Sequence, residues 1–406
     1  MTSNWGTVQL KDIVQFKTGK LDSNAAEDGG QYPFFTCSPT TLEINTHAFD
    51  TEAVLLAGNN ANGVFAVKYY KGKFNAYQRT YVITPLDESV VCVKWLYFRI
   101  KHVTSELQKM SVGTATKFLT KKILDAYEVE LPPIEVQEQQ AKILWGLQDK
   151  LDLNNQTNQT LEQMAQAIFK SWFVDFDPVK AKMNDEQPEG MDATTASLFP
   201  EKLDSETGIP DGWKLSEIGD EVTVVGGGTP SKKNDDFWVD GDIHWTSPKD
   251  LSGVQDKVLL DTASKVTEAG LKKISSGLLP VDTVLLSSRA PVGYLALAKV
   301  PMAINQGYIA MKCEKQLPPE FVLQWCVHCM DEIKQRASGS TFAEISKKSF
   351  KPISVVVPTG EVLSAYQKLV KPLYDAITSN ARQNEQLSSL RDTLLPKLLS
   401  GEIELN

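Results

Sequence analysis

Cysteine and histidine are scarce in this chain, and their scarcity limits the chemistry that it can perform. Five cysteines and four histidines occur among 406 residues. An odd number of cysteines at irregular spacing fits no disulfide framework and is typical of a reducing cytoplasm. The histidines show no triad-like grouping with potential catalytic partners. These residues are Cys37, Cys92, Cys313, Cys326, Cys329, His47, His102, His244 and His328.

Long apolar runs are missing as well. The longest, Val90 to Ile100, is interrupted by Lys94 and is too short to span a bilayer. The first ten residues, MTSNWGTVQL, contain neither the basic region nor the apolar region of a secretory signal. We therefore expect a soluble cytoplasmic protein.

Two motifs approach catalytic or metal-binding patterns without completing them. The segment GGGTPSKK at 226–233 lacks the Gly-Lys-Ser/Thr ending of a phosphate-binding loop, which favours a plain glycine-rich turn. The spacing of Cys326 and Cys329 is metal-like, but the pair lies in a predicted helix without a second pair, which argues against zinc. We predict no catalytic residue, no metal site and no cofactor in this chain.

The sequence contains an internal repeat. Residues 113–132, GTATKFLTKKILDAYEVELP, align without a gap on residues 339–358, GSTFAEISKKSFKPISVVVP, at an offset of 226. Five of these twenty positions are identical, where chance gives about one. A repeat of this size predicts a whole domain and its connector, made twice. Upstream, Trp5, Asp12, Val14 and Gly19 recur at an offset of 208 as Trp213, Asp220, Val222 and Gly227.

The negative charge is concentrated in one segment. The net charge of -9 by itself disfavours a nucleic-acid partner. However, residues 1–131 hold 14 basic and 13 acidic side chains, and residues 213–358 hold 17 of each. Residues 132–212 hold 6 basic and 15 acidic side chains. Because binding depends on the local field, the two near-neutral units remain open to an anionic partner.

The apolar pattern predicts an α+β protein. Two mixed α/β domains are predicted at 1–132 and 213–358, long helices at 133–180 and 359–406, and an acidic linker at 181–212. Within the domains, strands are predicted at 53–56, 64–67, 222–225 and 283–286, and helices at 94–110 and 319–335.

The two long helices carry matching heptad seams. Each seam position of the first helix recurs 226 residues later, including the two polar positions. This match predicts an intramolecular antiparallel coiled coil that separates two domains in pseudo-two-fold arrangement. The seams are Leu144, Leu147, Leu151, Asn154, Asn158, Leu161, Ala165, Ile168 and Trp172, and Val370, Leu373, Ile377, Asn380, Asn384, Leu387, Arg391, Leu394 and Leu398.

The asparagines are predicted to set the register of this coiled coil. Asparagine in a seam costs stability but fixes register, because its amide needs a polar partner. Asn158 and Asn384 lie at the midpoints of their seams, so we expect them to meet. Pro372 and Pro396 argue against an ideal second helix, since proline can kink it. In the alternative interpretation, each helix packs only on its own domain.

A basic and aromatic segment in the first unit is a candidate DNA-binding surface. Residues 68–79 hold four basic side chains and no acidic one. Such a patch neutralises phosphates, and Gln78 or Arg79 can donate to base edges. The alternative is an exposed hairpin whose lysines are only solvated. The basic residues are Lys68, Lys71, Lys73 and Arg79.

The second unit offers matching loops. Its loop 287–293 contains Arg289 and aligns on residues 57–63 at an offset of 230, and Gln306 aligns on Gln78 at an offset of 228. We interpret these loops as paired recognition elements, with ordinary turns as the alternative. Further candidates are Lys232, Lys233 and Asn305, and a duplicated phosphate clamp of Gly113 with Thr114 and Gly339 with Ser340.

The helix length suits a reader of two separated sites. At 1.5 Å per residue, the seam from 144 to 172 rises about 42 Å and the full helix about 60 Å. Successive major-groove faces of B-DNA lie about 34 to 36 Å apart. Two similar domains on such a rod match two half-sites on one duplex.

Four motifs, in this order along the chain, resemble the specificity subunit of type I restriction-modification systems. The resemblance runs over nearly the whole sequence. The motifs are FKSWFVDFDPV at 169–179, IPDGWKLSEIGDEV at 209–222 with GGGTPS downstream, GSTFAEIS at 339–346 and LRDTLLPKLLSGEI at 390–403.

The resemblance implies a non-catalytic DNA sequence-specificity subunit. Its two target-recognition domains each read one half of a bipartite site, while the helices set the spacer. It implies two modification subunits that bind S-adenosylmethionine and methylate adenine, and restriction subunits that use ATP, so that the cofactors lie on the partners. Contact residues do not transfer, because recognition domains vary with the DNA sequence that they read. A non-catalytic scaffold with duplicated protein-binding domains, and a fused nuclease or methyltransferase, are the alternatives.

Overall fold

The computed structural model describes residues 5–61, 63–339, 343–403 and 405. The chain divides into two compact units. Unit 1 comprises Met1–Leu151 and Gln386–Asn406, and unit 2 comprises Asp152–Glu385. The domain boundaries drawn from the sequence stay a prediction. No helix in the described ranges is long and apolar enough to cross a membrane.

Unit 1 is built around a six-stranded sheet in the order β2-β8-β5-β7-β3-β4, with two further strand pairs, β1-β10 and β6-β9. Its elements are β1 (Gly6–Gln9), α1 (Leu10–Ile13), β2 (Val14–Thr18), β3 (Tyr32–Phe35), β4 (Leu42–Ile44), β5 (Phe49–Ala57), β6 (Asn59–Asn60), β7 (Val67–Ala76), β8 (Thr80–Pro85), α2 (Val93–Met110), β9 (Lys117–Phe118), α3 (Lys121–Ala126) and β10 (Glu128–Leu131).

A long helix and two short ones follow. They are α4 (Ile134–Phe173), α5 (Asp177–Met183) and α6 (Ala193–Ser197). Helix α4 begins one residue after the start of the long helix predicted at 133–180 and ends at Phe173, before that prediction does. A second long helix, α13 (Gly360–Leu399), closes the chain, and both long helices contribute to both units.

Unit 2 contains a five-stranded sheet, β12-β19-β16-β17-β14, a three-stranded sheet, β15-β13-β18, and the pair β11-β20. Its elements are β11 (Lys214–Glu217), α7 (Ile218–Glu221), β12 (Thr223–Val225), β13 (Ile243–Thr246), α8 (Pro248–Leu251), β14 (Val258–Leu259), β15 (Ser264–Val266), α9 (Glu268–Leu271), β16 (Val284–Ser287), β17 (Leu295–Ala298), β18 (Met302–Ile304), β19 (Tyr308–Lys312), α10 (Pro319–His328), α11 (Met330–Gln335), α12 (Lys347–Phe350) and β20 (Ser354–Val357).

The two units repeat one strand topology, as the internal repeat predicts. The antiparallel pair β1-β10 joins Gly6 to Leu131, and β11-β20 joins Lys214 to Val357, which reproduces the offsets of 208 and 226. In both main sheets the central strand, β5 or β16, lies beside β8 or β19. The long strand β7 of unit 1 corresponds in unit 2 to two shorter strands, β17 and β18. The predicted fold class of two mixed α/β domains with two long antiparallel helices is confirmed.

In each unit the two long helices run antiparallel, side by side. In unit 1, Gln148 Oε1 accepts a hydrogen bond of 3.0 Å from Arg391 of α13. In unit 2, Asn158 Oδ1 accepts one of 2.8 Å from Asn380. The predicted seam positions are all buried or half-buried. The first part of α4 packs in the core of unit 1 and its later part packs in the core of unit 2, so the alternative, in which each helix packs only on its own domain, does not hold.

The asparagines meet in a different combination from the one predicted. Asn154 Nδ2 donates to Asn384 Oδ1 at 2.9 Å, and Asn380 Nδ2 donates to Asn158 Oδ1 at 2.8 Å. Asn158 therefore faces Asn380, one turn away from its expected partner. The reason is that the local two-fold centre lies midway between the paired positions, so each asparagine meets the copy of its neighbour and not its own copy.

Three smaller predictions were wrong in detail. Helix α13 continues through Pro372 and Pro396, because both lie on its exposed side, where water can reach the carbonyl groups that proline leaves unpaired. The helix predicted at 319–335 is interrupted at Cys329 and forms α10 and α11. Of the strand predicted at 64–67, only Val67 belongs to a strand, the first residue of β7.

The central motif FKSWF supplies the aromatic core of unit 2. Phe169 packs edge-on against Phe321 with ring centroids 5.1 Å apart, and Trp172 packs edge-on against Phe199 at 5.0 Å. Tyr366 of α13 completes the cluster and is fully buried. Edge-to-face contacts of this kind add to the free energy gained from burial. The motif therefore attaches α4 to the sheet and to α13.

A buried glutamine on α4 performs the corresponding task in unit 1. Gln140 accepts a hydrogen bond of 2.9 Å from Trp95 Nε1 of α2 and donates to the Leu398 carbonyl oxygen of α13. We expect Gln140→Leu to lower the free energy of unfolding by about 1 to 3 kcal/mol, because two buried polar groups lose their partner. Denaturant unfolding of the purified chain measures this loss. Gln139→Leu, at the exposed neighbouring position, is the control, and equal stabilities of the two variants would contradict the assignment.

Candidate nucleic-acid interface

Three loops of unit 1 are joined by backbone hydrogen bonds. The loop after β5 and the turn between β7 and β8 are joined by Gly58 N–H, which donates to the Arg79 carbonyl at 2.8 Å. Leu119 N–H donates to the Gly58 carbonyl at 2.9 Å. Tyr77 N–H donates to the Phe35 carbonyl at the end of β3, also at 2.9 Å. These bonds hold the loops in one frame without using any side chain.

Unit 2 contains the same frame. Ser288 N–H donates to the Gly307 carbonyl at 2.8 Å, and Ile345 N–H donates to the Ser288 carbonyl at 3.0 Å. Asn305 N–H donates to the Thr246 carbonyl at 2.9 Å. Each of these bonds has its counterpart in unit 1, and all but one of the paired residues are separated by the offsets of 226 to 230 seen in the sequence; Phe35 and Thr246 are separated by 211. Gln78 and Gln306 thus occupy equivalent places.

A glycine packs closely against the backbone just before each of the turns that contain Gln78 and Gln306. A Cβ atom built on Gly19 would lie 1.6 Å from the carbonyl oxygen of Ala76, and one built on Gly227 would lie 1.9 Å from that of Ile304. Only a residue without a side chain allows so close an approach. This contact explains why glycine recurs at the offset of 208.

The two glycines of the predicted phosphate clamp lie in equivalent loops, 112–118 and 338–344. The first and last residues of each loop exchange two backbone hydrogen bonds of 2.8 to 3.0 Å. Gly113 and Gly339 both have positive φ angles, of 108° and 126°. Such angles favour glycine. Thr114 is exposed, and Ser340 lies outside the described residues.

In unit 2 the structure brings together four of the residues predicted from sequence. Lys232, Asn305 and Gln306 line a cavity of about 550 Å³. An adjoining cavity of about 360 Å³ shares Asn305 and adds Arg289. The first cavity is lined in full by Thr229, Lys232, Trp245, Ser247, Lys249, Asp250, Ala263, Ser264, Asn305 and Gln306. Cationic and amide side chains around one concave surface are suited to phosphates and base edges. Lys233, beside this group, is exposed.

Lys249 lines both cavities and was missed at the sequence level. It lies in the short helix α8, which begins with a capping box in which Ser247 and Asp250 satisfy each other's backbone N–H groups. The pattern Ser-Pro-Lys-Asp is a recognisable helix start. That signal predicts α8 but not its proximity to Asn305, which depends on the tertiary fold.

Several of these side chains already have partners. Arg289 lies 3.7 Å from Glu344, in the loop that contains Gly339. Gln306 Oε1 accepts a hydrogen bond of 2.7 Å from Thr229. In unit 1, Arg79 lies over the ring of Phe118, 5.3 Å from its centroid. Position 118 aligns on position 344. In both units an arginine therefore contacts the same loop, through an aromatic ring in unit 1 and through a carboxylate in unit 2.

The predicted lysine patch of unit 1 does not form a single surface. Lys71 pairs with Glu52 at 2.9 Å, and Tyr69 donates to the same carboxylate at 2.8 Å. Lys68 lies on the opposite face of β7, over the ring of Phe35. Alternation along the strand separates them. Lys73 is exposed, opposite Asp50 on β5.

The charge states of this patch follow from its contacts. Burial lowers the pKa of Lys68. Burial also opposes ionisation of Glu52, but hydrogen bonds from Lys71 and Tyr69 outweigh it and hold the pKa of Glu52 below its usual value. Lys71 is therefore half of an ion pair and less available for phosphate than its position in the sequence suggests.

The Cys326 and Cys329 pair is part of the core of unit 2. Burial raises the pKa of the Cys326 thiol well above its usual value, and burial raises that of Cys329 to about 12. Burial in this apolar surrounding therefore disfavours the thiolate form of both residues. Among the residues that the structure describes, no cluster of three or more potential metal ligands occurs.

The chain matches a family model over most of its length. The model describes the type I restriction modification DNA specificity domain, and it matches residues 2–163 and 210–389. The two matched ranges correspond to the two copies of the internal repeat. The resemblance drawn from the sequence motifs is confirmed.

Individual relatives agree with this match. The HindI specificity subunit of Haemophilus influenzae is 30% identical over 370 residues, which cover 79% of this chain and 80% of the relative. The MjaIX specificity subunit of Methanocaldococcus jannaschii is 23% identical over 99% of this chain and 94% of its own. The solved S subunit from M. genitalium, 16% identical, shares the fold with a TM-score of 0.66 and covers 99% of this chain and 97% of its own.

The glycine behind the Asn305 turn provides a test of the frame. We expect Gly227→Ala to destabilise unit 2 by about 1 to 3 kcal/mol, because the added methyl group overlaps the Ile304 carbonyl and the turn must move. Thermal unfolding of the purified chain measures the effect. Gly253→Ala is the matched control, since a Cβ atom there meets nothing within 4 Å. A Gly227→Ala protein as stable as the control would refute the close approach.

Proposed function

Because the chain belongs to the type I restriction-modification DNA specificity family, we propose that each of its two units reads one half of a bipartite DNA site. The protein is the DNA-recognition component of a type I restriction-modification complex. The helices α4 and α13 set the spacer between the half-sites and dock the methyltransferase subunits.

One observation carries this proposal. The backbone frame that joins the loops is the same in both units, bond for bond, while the side chains on it differ. Unit 1 presents Gln78 and Arg79, whereas unit 2 presents Asn305, Gln306 and a nearby Arg289. Equal frames with unequal side chains suit two different half-sites read in the same manner.

The residues around the frames are assigned roles within the proposal. Arg289, Arg79, Gln78 and Gln306 read base edges, because their side chains form bidentate contacts with guanine or adenine. Lysines and loop backbones contact phosphates, which fix position and not sequence. The phosphate group comprises Lys232, Lys249, Gly113, Thr114 and Gly339; for Lys68, Lys71, Lys73, Lys233 and Ser340, DNA contact stays a prediction.

The partners follow from this role. Two modification subunits supply S-adenosylmethionine and the methyl transfer to adenine, and restriction subunits supply ATP-driven translocation and cleavage. This chain is non-catalytic in that scheme and acts on cytoplasmic DNA. Its own contribution is to place the partners on the correct sequence.

Adenine methylation tests the proposal directly. We expect a host that carries this chain with its modification subunit to methylate adenine within a two-part motif with a fixed gap, as determined by sequencing of the modified genome. The purified complex is expected to bind that duplex with a steep dependence on salt, because phosphate contacts release counterions. Binding that ignores DNA sequence, or a contiguous motif, would refute the proposal.

Arginine substitutions separate the two half-sites. We expect Arg289→Ala to weaken discrimination at one base of one half-site by about 1 to 3 kcal/mol, since a bidentate contact is lost. Arg79→Ala is expected to relax the other half-site only. Sequencing of methylated motifs in hosts that carry each variant measures both changes.

Arg336→Ala is the matched control for Arg289. Its side chain is similarly exposed, 36% against 38%, and it is also paired with a glutamate, Glu332, but it does not line the cavity that contains Arg289 and Asn305. The control is expected to leave the motif unchanged. An Arg289→Ala motif identical to that of the control would remove Arg289 from the reading surface.

A further inference from the structure

Unit 2 contains an insertion that unit 1 lacks. The β3-β4 pair joins Tyr32 to Ile44, whereas the equivalent β13-β15 pair joins Ile243 to Val266, so the second connection is eleven residues longer. The insertion contains α8 and β14. Strand β14 joins the main sheet by pairing in parallel with β17, and residues 258–259 thus extend the sheet towards the long helices.

The residues just before β14 contact the long helix α4. Lys257 Nζ lies 3.1 Å from Glu162 Oε1. The side chains of this pair are only 26% and 12% exposed. Burial raises the pKa of the neighbouring Asp256, although a hydrogen bond with Asn158 acts in the opposite direction and lowers it. The insertion therefore reaches α4 at Asn158 and at Glu162, which lie one helical turn apart.

Glu162 connects this insertion to two further helices. Its Oε2 accepts a hydrogen bond of 2.7 Å from the Tyr374 hydroxyl of α13, and its Oε1 accepts one of 3.0 Å from Gln324 Nε2 of α10. Tyr374 and Gln324 are 0% and 1% exposed. A carboxylate is retained in such a place only when several donors satisfy it. One side chain thus joins α4, α13, α10 and the insertion.

Unit 1 holds its helices by other means. At the offset of 226, Glu162 corresponds to Ser388 and Tyr374 corresponds to Gln148. Gln148 instead accepts a hydrogen bond from Arg391. The positions in unit 1 that are equivalent to Glu162 and Tyr374 therefore hold neither a carboxylate nor a tyrosine hydroxyl. The carboxylate junction at Glu162 coincides with the insertion, which indicates that the two features work together.

We propose that Glu162 is a positioning residue, which fixes the orientation of the unit 2 sheet on the helix pair through Lys257 and so fixes the distance at which the second half-site is read. This inference rests on the proposed function. The reading loops extend from the same sheet as β14, so a tilt of that sheet moves them along the DNA. Base pairs follow one another at about 3.4 Å, so a small displacement changes the preferred spacer.

The test compares methylation at different spacers. The complex of this chain with its modification subunit is assayed on duplexes that contain both half-sites at the native spacer and at spacers one base pair shorter and longer. Wild type is expected to prefer the native spacer. Lys257→Met and Glu162→Gln are expected to reduce that preference about tenfold, as the loss of a charge-assisted hydrogen bond allows. The bases read in each half-site are expected to stay the same.

Two further variants distinguish positioning from general stability. Lys371→Met removes an exposed ion pair with Asp375 on α13 and is expected to leave the spacer preference intact. The double variant Glu162→Gln with Lys257→Met is expected to lose no more of the preference than either single variant, because both substitutions remove the same ion pair. Circular dichroism confirms that each variant is folded.

The outcomes separate the two proposals. An unchanged spacer preference in both single variants overturns the positioning role, and so does an equal loss of methylation at every spacer, which indicates a purely structural role. Wild-type complex that methylates no bipartite duplex overturns the proposed function itself, and the positioning role with it. If the single variants lose spacer preference but still read the same bases in each half-site, both the positioning role and the proposed function are supported.

Discussion

The pairing of asparagine side chains between α4 and α13 determines how the rest of unit 2 is arranged. Asn154 and Asn158 are 2% and 1% exposed, and each is paired with an asparagine of the other helix. An amide without a partner in such a place loses its hydration and gains nothing in return. Leucine seams tolerate a shift along the helix, but amides do not. Since α4 also bears Glu162 and the aromatic motif, its register sets the positions of both.

The asparagine pairs also show how a duplicated sequence builds a local two-fold axis. Each helix supplies the same two amides, and an antiparallel arrangement matches the first of one helix with the second of the other. The two pairs are therefore equivalent by symmetry. This equivalence does not extend to the surroundings, because the positions equivalent to Glu162 and Tyr374 in the other copy are occupied by Ser388 and Gln148. Symmetry at the seam thus coexists with asymmetric attachment of the sheets.

Sequence reasoning was successful where a signal is local or repeated. The helical period predicts the start of α4 to within one residue, and the offsets of 208 and 226 reappear as strand pairs. It was less successful where tertiary structure decides. Lys71 is paired with Glu52 of the neighbouring strand β5, a partner that the sequence around Lys71 does not reveal. The proximity of Lys249 to Asn305 depends on an insertion whose path no local pattern reveals.

Main-chain hydrogen bonds join the loops of both units at Gly58 and Ser288. Main-chain hydrogen bonds do not depend on side-chain identity, except where glycine permits close approach. Residues at the rim of the frame can therefore be exchanged while the frame itself keeps its shape. Under the proposed function, a protein built in this way acquires a new target sequence by changing a few side chains in one unit, and the other unit continues to read its own half. Diversity of recognition thus requires no new architecture.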